Sequence, residues 1–307
     1  MKNKAYPLNQ SPLYKLKSKK RLFELLGFEG KFLLRLAESD NNFHVFNIIQ
    51  GEKKRQVEVP KNALRKIHSL LFRFLRDIDK PNYLHSGVRG RSYITNAKAH
   101  LGFKPLVKLD IKKFYPSVKF GHVFRFFNDT LLCSPDVSVI LARLFTYQRY
   151  LPTGSSASQL LGYFAAKPML DELALLSEAS AVEFTCYVDD LTFSGDLAGP
   201  KFLWSVKKVI HKHGFSYHKE KYYERLTPKV VTGVYIDGNS IRVIPSRELD
   251  MWLLNKKWEV SDCEDPAGLI LSVIGKMTAA SQIDERFSAR VKRLRFLIAK
   301  NRPESDK

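Results

Sequence analysis

Cysteine is scarce: the 307 residues contain three, Cys133, Cys186 and Cys263, far apart and without a Cys-x-x-Cys pair. That excludes a disulfide framework and a thiolate metal site, and it fits a reducing cytoplasm. Long hydrophobic runs are missing too. The longest, around 267–275, is about half of the roughly 18 residues that span a bilayer, so a soluble chain with no membrane partner is expected. No apolar segment follows the N-terminal residues Lys2, Lys4, Lys15, Lys17, Lys19, Lys20 and Arg21, so this acid-free stretch reads as a basic arm and not as a secretory signal. Acidic residues are in deficit, 31 Asp+Glu against 51 Lys+Arg, which leaves a net charge of +20. A field of that sign points to a polyanion, and nucleic acid is the first candidate.

What is present is ordinary globular material, 44% hydrophobic and 27% charged, in a chain long enough for two or three packed subdomains. Residues 43–60 read as a hairpin around a turn at Gly51-Glu52-Lys53-Lys54. Leu64, Ile67, Leu71, Leu75 and Ile78 have helical spacing, stopped by Pro81. A loop from His85 to Ser92 leads to the apolar run Leu106-Val107-Lys108-Leu109, a strand that delivers Asp110 at its tip. Tyr115-Pro116-Ser117 breaks it, and Ser117 is expected to cap a helix through Val118, His122 and Phe126. Helices are predicted near 136–146, 159–176 and 200–213, and strands near 182–188, 191–195, 230–236 and 240–244. That order resembles the β-α-β-β-α-β split pattern of a ferredoxin-like sheet, the arrangement of polymerase palms. From 246 onward the pattern is helical, and 284–302 carries a net +5, with Leu294 and Phe296-Leu297-Ile298 expected to pack inward.

The sharpest chemical feature is Tyr187-Val188-Asp189-Asp190 between two predicted strands. Adjacent carboxylates at a turn repel each other and must shed water, a cost that a divalent cation removes. Asp110 closes another strand. If the strand ends are neighbours, the three acids could hold two ions about 3.5–4 Å apart for in-line phosphoryl transfer. His211, His213 and His218 lack acid or cysteine companions at zinc spacing.

In order along the chain, Leu109-Asp110-Ile111-Lys112-Lys113-Phe114-Tyr115-Pro116-Ser117, Leu151-Pro152-Thr153-Gly154-Ser155 and Tyr187-Val188-Asp189-Asp190 resemble three motifs of reverse transcriptases. Asn96-Ala97-Lys98-Ala99-His100, Val231-Thr232-Gly233 and the opening Ser11-Pro12-Leu13-Tyr14-Lys15-Leu16-Lys17-Ser18-Lys19 resemble segments of the bacterial retron type. The resemblance implies an α+β right-hand polymerase: fingers 1–105 with an inserted part near 127–150, a ferredoxin-like palm 106–245, and a basic helical thumb 246–307. It implies that Asp110, Asp189 and Asp190, with the carbonyl of Ile111, hold two Mg²⁺ ions.

Carried over in the same way, Tyr115 stacks beneath the deoxyribose and excludes a 2′-hydroxyl. Thr153 and Gly154 fall in the loop that cradles template and nucleotide, although the commonest pattern has Gln at the position of Thr153 and Pro at that of Gln159. Arg89 or Arg91 grips the triphosphate, and Lys221 stands beside the leaving pyrophosphate. Asn96 and His100 belong to an element suspected of recognising RNA, and Arg286, Arg290 and Arg293 track a nucleic acid backbone. The retron resemblance further implies a dedicated non-coding RNA that is both template and primer. Synthesis would start at the 2′-hydroxyl of an internal guanosine and yield a branched RNA–DNA hybrid from dNTPs. Host RNase H, a separately encoded effector protein and anti-phage defence complete the implied setting. Alternatives are a group II intron-like or other defence reverse transcriptase, a non-catalytic RNA-binding scaffold and, more remotely, a nucleotidyl cyclase.

Overall fold

The computed structural model describes residues 5–50, 53–259 and 266–300. Lys2, Lys4, the Gly51–Glu52 turn, Cys263 and Arg302 lie outside them, as do the side chains of Leu297 and Ile298.

Helices α1 (Lys19–Leu26) and α2 (Gly30–Glu38) precede the hairpin β1 (Phe43–Gln50) and β2 (Lys53–Pro60), which pair antiparallel in the register Phe43↔Pro60 to Gln50↔Lys53. Helix α3 (Asn62–Arg76) buries the predicted stripe Leu64, Ile67, Leu71 and Leu75. A loop and α4 (Tyr93–Lys98) lead into β3 (Leu106–Ile111). Ser117 ends the short helix α5 (Phe114–Ser117) instead of capping the next one. Helix α6 (Phe120–Arg125) starts after Lys119, whose N–H is accepted by the His122 ring, so the expected cap is shifted by two residues. Then come α7 (Pro135–Phe145), the long α8 (Ser158–Ala179), β4 (Glu183–Tyr187), β5 (Asp190–Ser194), α9 (Pro200–Lys212) and β6 (Tyr217–Tyr223).

Strands β3 to β6 form one antiparallel sheet in the order β4-β5-β3-β6. This is the ferredoxin-like order expected, but its fourth strand is β6. The predicted strands near 230–236 and 240–244 make a separate sheet of β7 (Lys229–Val231), β8 (Val234–Asp237) and β9 (Ser240–Val243). The sequence Tyr-His-Lys-Glu-Lys-Tyr-Tyr of β6 has no apolar alternation because the strand lies at the sheet edge, mostly exposed, and so it carries no pattern to read.

On one face of the large sheet, Val107, Leu109, Ile111, Phe184, Leu191 and Phe193 join the main core under α8 and α9. Phe193 stacks on Phe184 at 4.8 Å and meets Phe202 of α9 at 5.5 Å. On the other face the pairs Asp110↔Asp190, Lys108↔Thr192, Tyr187↔Asp190 and Thr185↔Thr192 draw a polar stripe across β3, β5 and β4. At the C-terminal end α10 (Pro245–Glu259), α11 (Pro266–Ser281) and α12 (Arg286–Lys300) share a core of their own around Met251, Val273, Met277, Phe287, Val291 and Leu294. Leu294 points inward as expected; Phe296 does not, at 68% exposed, because it lies off the buried face formed by Phe287, Val291 and Leu294. Among the described residues no helix is long and apolar enough to cross a membrane.

Candidate active site

Antiparallel pairing sets the site. Asp110 near the end of β3 stands directly opposite Asp190 at the start of β5, and the Ile111 N–H donates to the Asp189 carbonyl at 2.9 Å. The turn between β4 and β5 is strained, since Val188 sits at φ 61°, a left-handed conformation that a β-branched residue rarely adopts. Strain of this kind persists where neighbours over-determine it. Here the buried hydroxyl of Ser86 accepts the Val188 N–H at 3.0 Å. The segment before Ser86 runs alongside β4, with His85 N–H donating to Cys186 O at 2.9 Å and Cys186 N–H to Tyr83 O at 2.7 Å.

The carboxylates are under electrostatic stress. Burial, and then the charge of Asp110, push the Asp189 carboxyl up to about 6, and burial foremost also raises Asp190, with Lys108 and Lys219 opposing. Asp110 is turned toward two basic groups of β6. The Lys219 ammonium lies 3.2 Å from Oδ2, and His218 Nδ1 lies 3.3 Å from Oδ1, but off hydrogen-bond geometry. Lys219 reaches this place because β6 bulges against β3 between Lys108 and Asp110, with Lys219 at φ 52°.

Among the described residues no three acidic, histidine or cysteine side chains already stand arranged to hold a metal ion. The donor chemistry nevertheless suits a hard divalent cation. The three donors are carboxylates, half-buried and mutually repelling, and Lys219 supplies only part of the positive charge they call for.

Tyr115, on α5, is raised by burial and then by the Asp189 charge, with Arg55 of the hairpin opposing. Its hydroxyl therefore lies within the electrostatic reach of both, and Arg55 is a cation that the sequence did not single out.

Other sequence expectations are redirected. Lys221 is exposed, with its ammonium 4.7 Å from the Tyr223 ring, and the bulge puts Lys219 beside the acids instead. The Arg91 guanidinium is taken up by the chain itself, donating to Pro81 O at 2.6 Å, Leu84 O at 2.7 Å and Asn82 Oδ1 at 3.1 Å, so it is a loop brace. Arg89 is exposed on that loop.

Asn96 and His100 are fully buried and offer no surface to RNA. His100 bridges Ser194 Oγ of β5 and Thr185 Oγ1 of β4, both at 2.7 Å, and burial lowers it to about 3, so it is neutral. Asn96 meets Thr232 Oγ1 at 3.5 Å, and Thr232 donates to Tyr93 O at 2.8 Å. The segments Asn96–His100 and Val231–Gly233 are thus one packed unit beneath the β4–β5 hairpin. A Cβ at Gly233 would lie 2.7 Å from the Arg247 guanidinium of α10.

Thr153 Oγ1 donates to Glu58 Oε2 at 2.9 Å. A Cβ on Gly154 would lie 2.6 Å from Glu58 O, so this glycine is required by the hairpin backbone itself. On α12, Arg286 pairs with Asp284 at 2.5 Å and with Glu248 at 3.5 Å, Arg290 lies 5.6 Å from the Phe287 ring, and Arg293 borders a cavity of about 770 Å³ with Trp252 and Lys256.

No family model matches the chain. Several curated proteins do. The chain is 31% identical over 192 residues to the Retron Se72 reverse transcriptase of Salmonella heidelberg, covering 61% of this chain and 50% of that protein. It is 29% identical over 217 residues to the Retron Mx162 reverse transcriptase of Myxococcus xanthus, covering 60% and 45%. The match to the Retron Ec86 reverse transcriptase of Escherichia coli is 23% over 186 residues, covering 59% and 55%. The chain therefore spans about half the length of the curated relatives it matches. Among solved structures, a foamy viral protease-reverse transcriptase with ds DNA superposes at a TM-score of 0.52 and 15% identity, over 85% of this chain and 40% of that one. Telomerase from Candida albicans with a fragment of telomeric RNA superposes at 0.50 and 11% identity, over 82% and 59%. The fold is that of a right-hand polymerase.

Proposed function

We propose that this chain, a relative of the retron reverse transcriptases with a right-hand polymerase fold, is an RNA-directed DNA polymerase. The observation that carries the reading is the pairing of Asp110 with Asp190 beside Asp189, whose carboxyl burial and Asp110 push up to about 6. A protein that only bound RNA would gain nothing from repelling acids next to phosphates. Residues 1–105 then act as fingers with an inserted part near 127–150, 106–245 as palm, and 246–307 as thumb.

Asp110, Asp189 and Asp190, with the Ile111 backbone, would hold two Mg²⁺ ions. Bound there, such ions would acidify the primer hydroxyl and offset the charge of the departing pyrophosphate. The protein's own part is placement. Ser86 and the Val188 turn fix Asp189, and Tyr115 lies under the sugar, where a 2′-hydroxyl would collide with it. Arg55 and Arg89 face the triphosphate, Lys219 supports the leaving group, and Arg290 and Arg293 follow the nucleic acid backbone.

We extend the reading to the retron setting: a dedicated structured RNA, initiation from the 2′-hydroxyl of an internal guanosine, and a branched RNA–DNA product trimmed by host RNase H. A separately encoded effector, a role in anti-phage defence and a cytoplasmic location belong to the same setting. The support is the match to three retron enzymes and the packing together of the two retron-like segments. The test is expression with native flanking DNA, comparing wild type with Asp189→Ala plus Asp190→Ala. A branched species sensitive to both RNase and DNase, seen only with intact aspartates, is expected. If folded protein with Mg²⁺ extends a primer on RNA but makes no branched species, the polymerase survives and the retron setting fails. If it does neither, both fail.

A further inference from the structure

Two buried polar side chains from the N-terminal region converge on the loop Leu151–Ser155. Glu58 of β2 is 2% exposed, and among the described residues no cation pairs with it. A buried carboxylate is costly unless hydrogen bonds satisfy it. Four donors do so: the Thr153 N–H at 3.0 Å, Thr153 Oγ1 at 2.9 Å, Gln56 Nε2 at 2.9 Å and the Tyr150 hydroxyl at 3.1 Å. The Gly154 N–H adds a bond to the Glu58 carbonyl at 3.0 Å. His68 of α3 lies 2.9 Å from Leu144 O, which can only accept, so Nε2 carries the proton and Nδ1 accepts from Ser155 Oγ at 2.6 Å.

Thr153, Gly154 and Ser155 are therefore bound in succession to the hairpin and to α3. The same hairpin carries Arg55, which acts on Tyr115. We infer that Glu58 is a positioning residue for the incoming nucleotide. It ties the Leu151–Ser155 loop to β2, so that hairpin and loop meet the nucleotide as one rigid jaw. Glu58 touches no substrate and acts through Thr153 and Tyr150. This deepens the polymerase reading and rests on it.

Glu58→Gln replaces one accepting oxygen with an NH₂ and removes the charge, so that either the Thr153 N–H or the Gln56 NH₂ loses its acceptor. With Mg²⁺ and an RNA template, it is expected to raise KM for dNTP about tenfold and leave kcat within about twofold, because the loop binds the nucleotide and does not react with it. Thr153→Val, which removes a single donor, should raise KM about threefold, and the double variant should be no worse than Glu58→Gln alone. In the protein without substrate, Glu58→Gln should speed amide hydrogen exchange at Thr153 and Gly154. An unchanged KM, a loss confined to kcat, or additive effects in the double variant would overturn the inference. If Glu58→Gln does not fold, Thr153→Val decides by the same KM criterion. A wild type without polymerase activity would sink the polymerase reading and this role with it, whereas an active wild type whose variants keep its KM sinks this role alone.

Discussion

The β4–β5 hairpin is held in opposite ways at its two ends. At the tip, Asp110, Asp189 and Asp190 crowd together with a single close ammonium, and the carboxyls of Asp189 and Asp190 are raised. At the stem, on the same face of the same strands, His100 satisfies both ring nitrogens with Thr185 and Ser194 and is sealed from water. Both ends are polar and both depart from ordinary proton affinity, but only one is short of partners. A perturbed group that is fully hydrogen-bonded braces the fold, and one left in mutual repulsion is available for chemistry.

The comparison breaks most visibly if Asp189 is neutralised. Asp189→Asn should lower primer extension by about 10³-fold or more. The same change should leave the metal-free melting midpoint at pH 7 no lower than wild type, because a repelling half-buried charge is gone; we expect a gain of about 1 kcal/mol. The folded carboxyl, near 6, lies above its unfolded value of 3.8, so the wild type is least favoured above that window. The gain from Asn should therefore fade as pH falls from 6 toward 4, which thermal melts across pH would reveal.

His100 at the stem, and His68 on α3, should respond in the opposite sense. His100 is pushed down to about 3 and His68 to about 4, each mainly by burial, while the unfolded chain takes up protons near 6.5. Stability is thus lost as pH drops below 6.5, by about 2 kcal/mol per histidine at pH 5. His100→Gln should flatten its share of that slope, and melts of a variant that keeps the full slope would show that His100 is not the group titrating.

Ser86 holds the tip alone. Ser86→Ala strands the Val188 N–H and should cost about 1–2 kcal/mol. It should also lower kcat about tenfold, with dNTP KM unchanged, as Asp189 drifts from its place. The smallest effect on catalysis is expected from Arg91→Lys. Losing the fork that holds the Pro81–Leu84 carbonyls should cost about 1 kcal/mol in a urea melt and change dNTP KM by less than twofold. A tenfold rise in KM with no loss of stability would restore Arg91 to the triphosphate.

The acids, the β3–β4–β5 frame and the helices at α3, α8 and α9 were legible because each rests on a local signal: apolar spacing, strand alternation, or two adjacent carboxylates after a strand. Strand β6 was not, since an edge strand keeps its charged residues in water and shows no apolar period. Lys219 was missed for a related reason, because a bulge changes which lysine faces the acids and bulges leave no mark in Lys-Glu-Lys. Glu58 and His68 were not singled out, and His100 read as part of an RNA-recognising element, as burial of a lone polar residue depends on distant partners. Arg91 read as a phosphate ligand because a fork made for phosphate oxygens fits backbone carbonyls equally well.

Strand β6 also governs how the molecule meets copies of itself. An open sheet edge is a template for further strands, and fibres grow from such edges. On one side of the large sheet, β4 is already occupied by the Tyr83–His85 segment. On the other, β6 offers Lys219, Glu220 and Lys221, and a second positively charged chain would have to desolvate those groups to add a strand. Colloidal stability is thus built into the edge strand that also brings a lysine to Asp110.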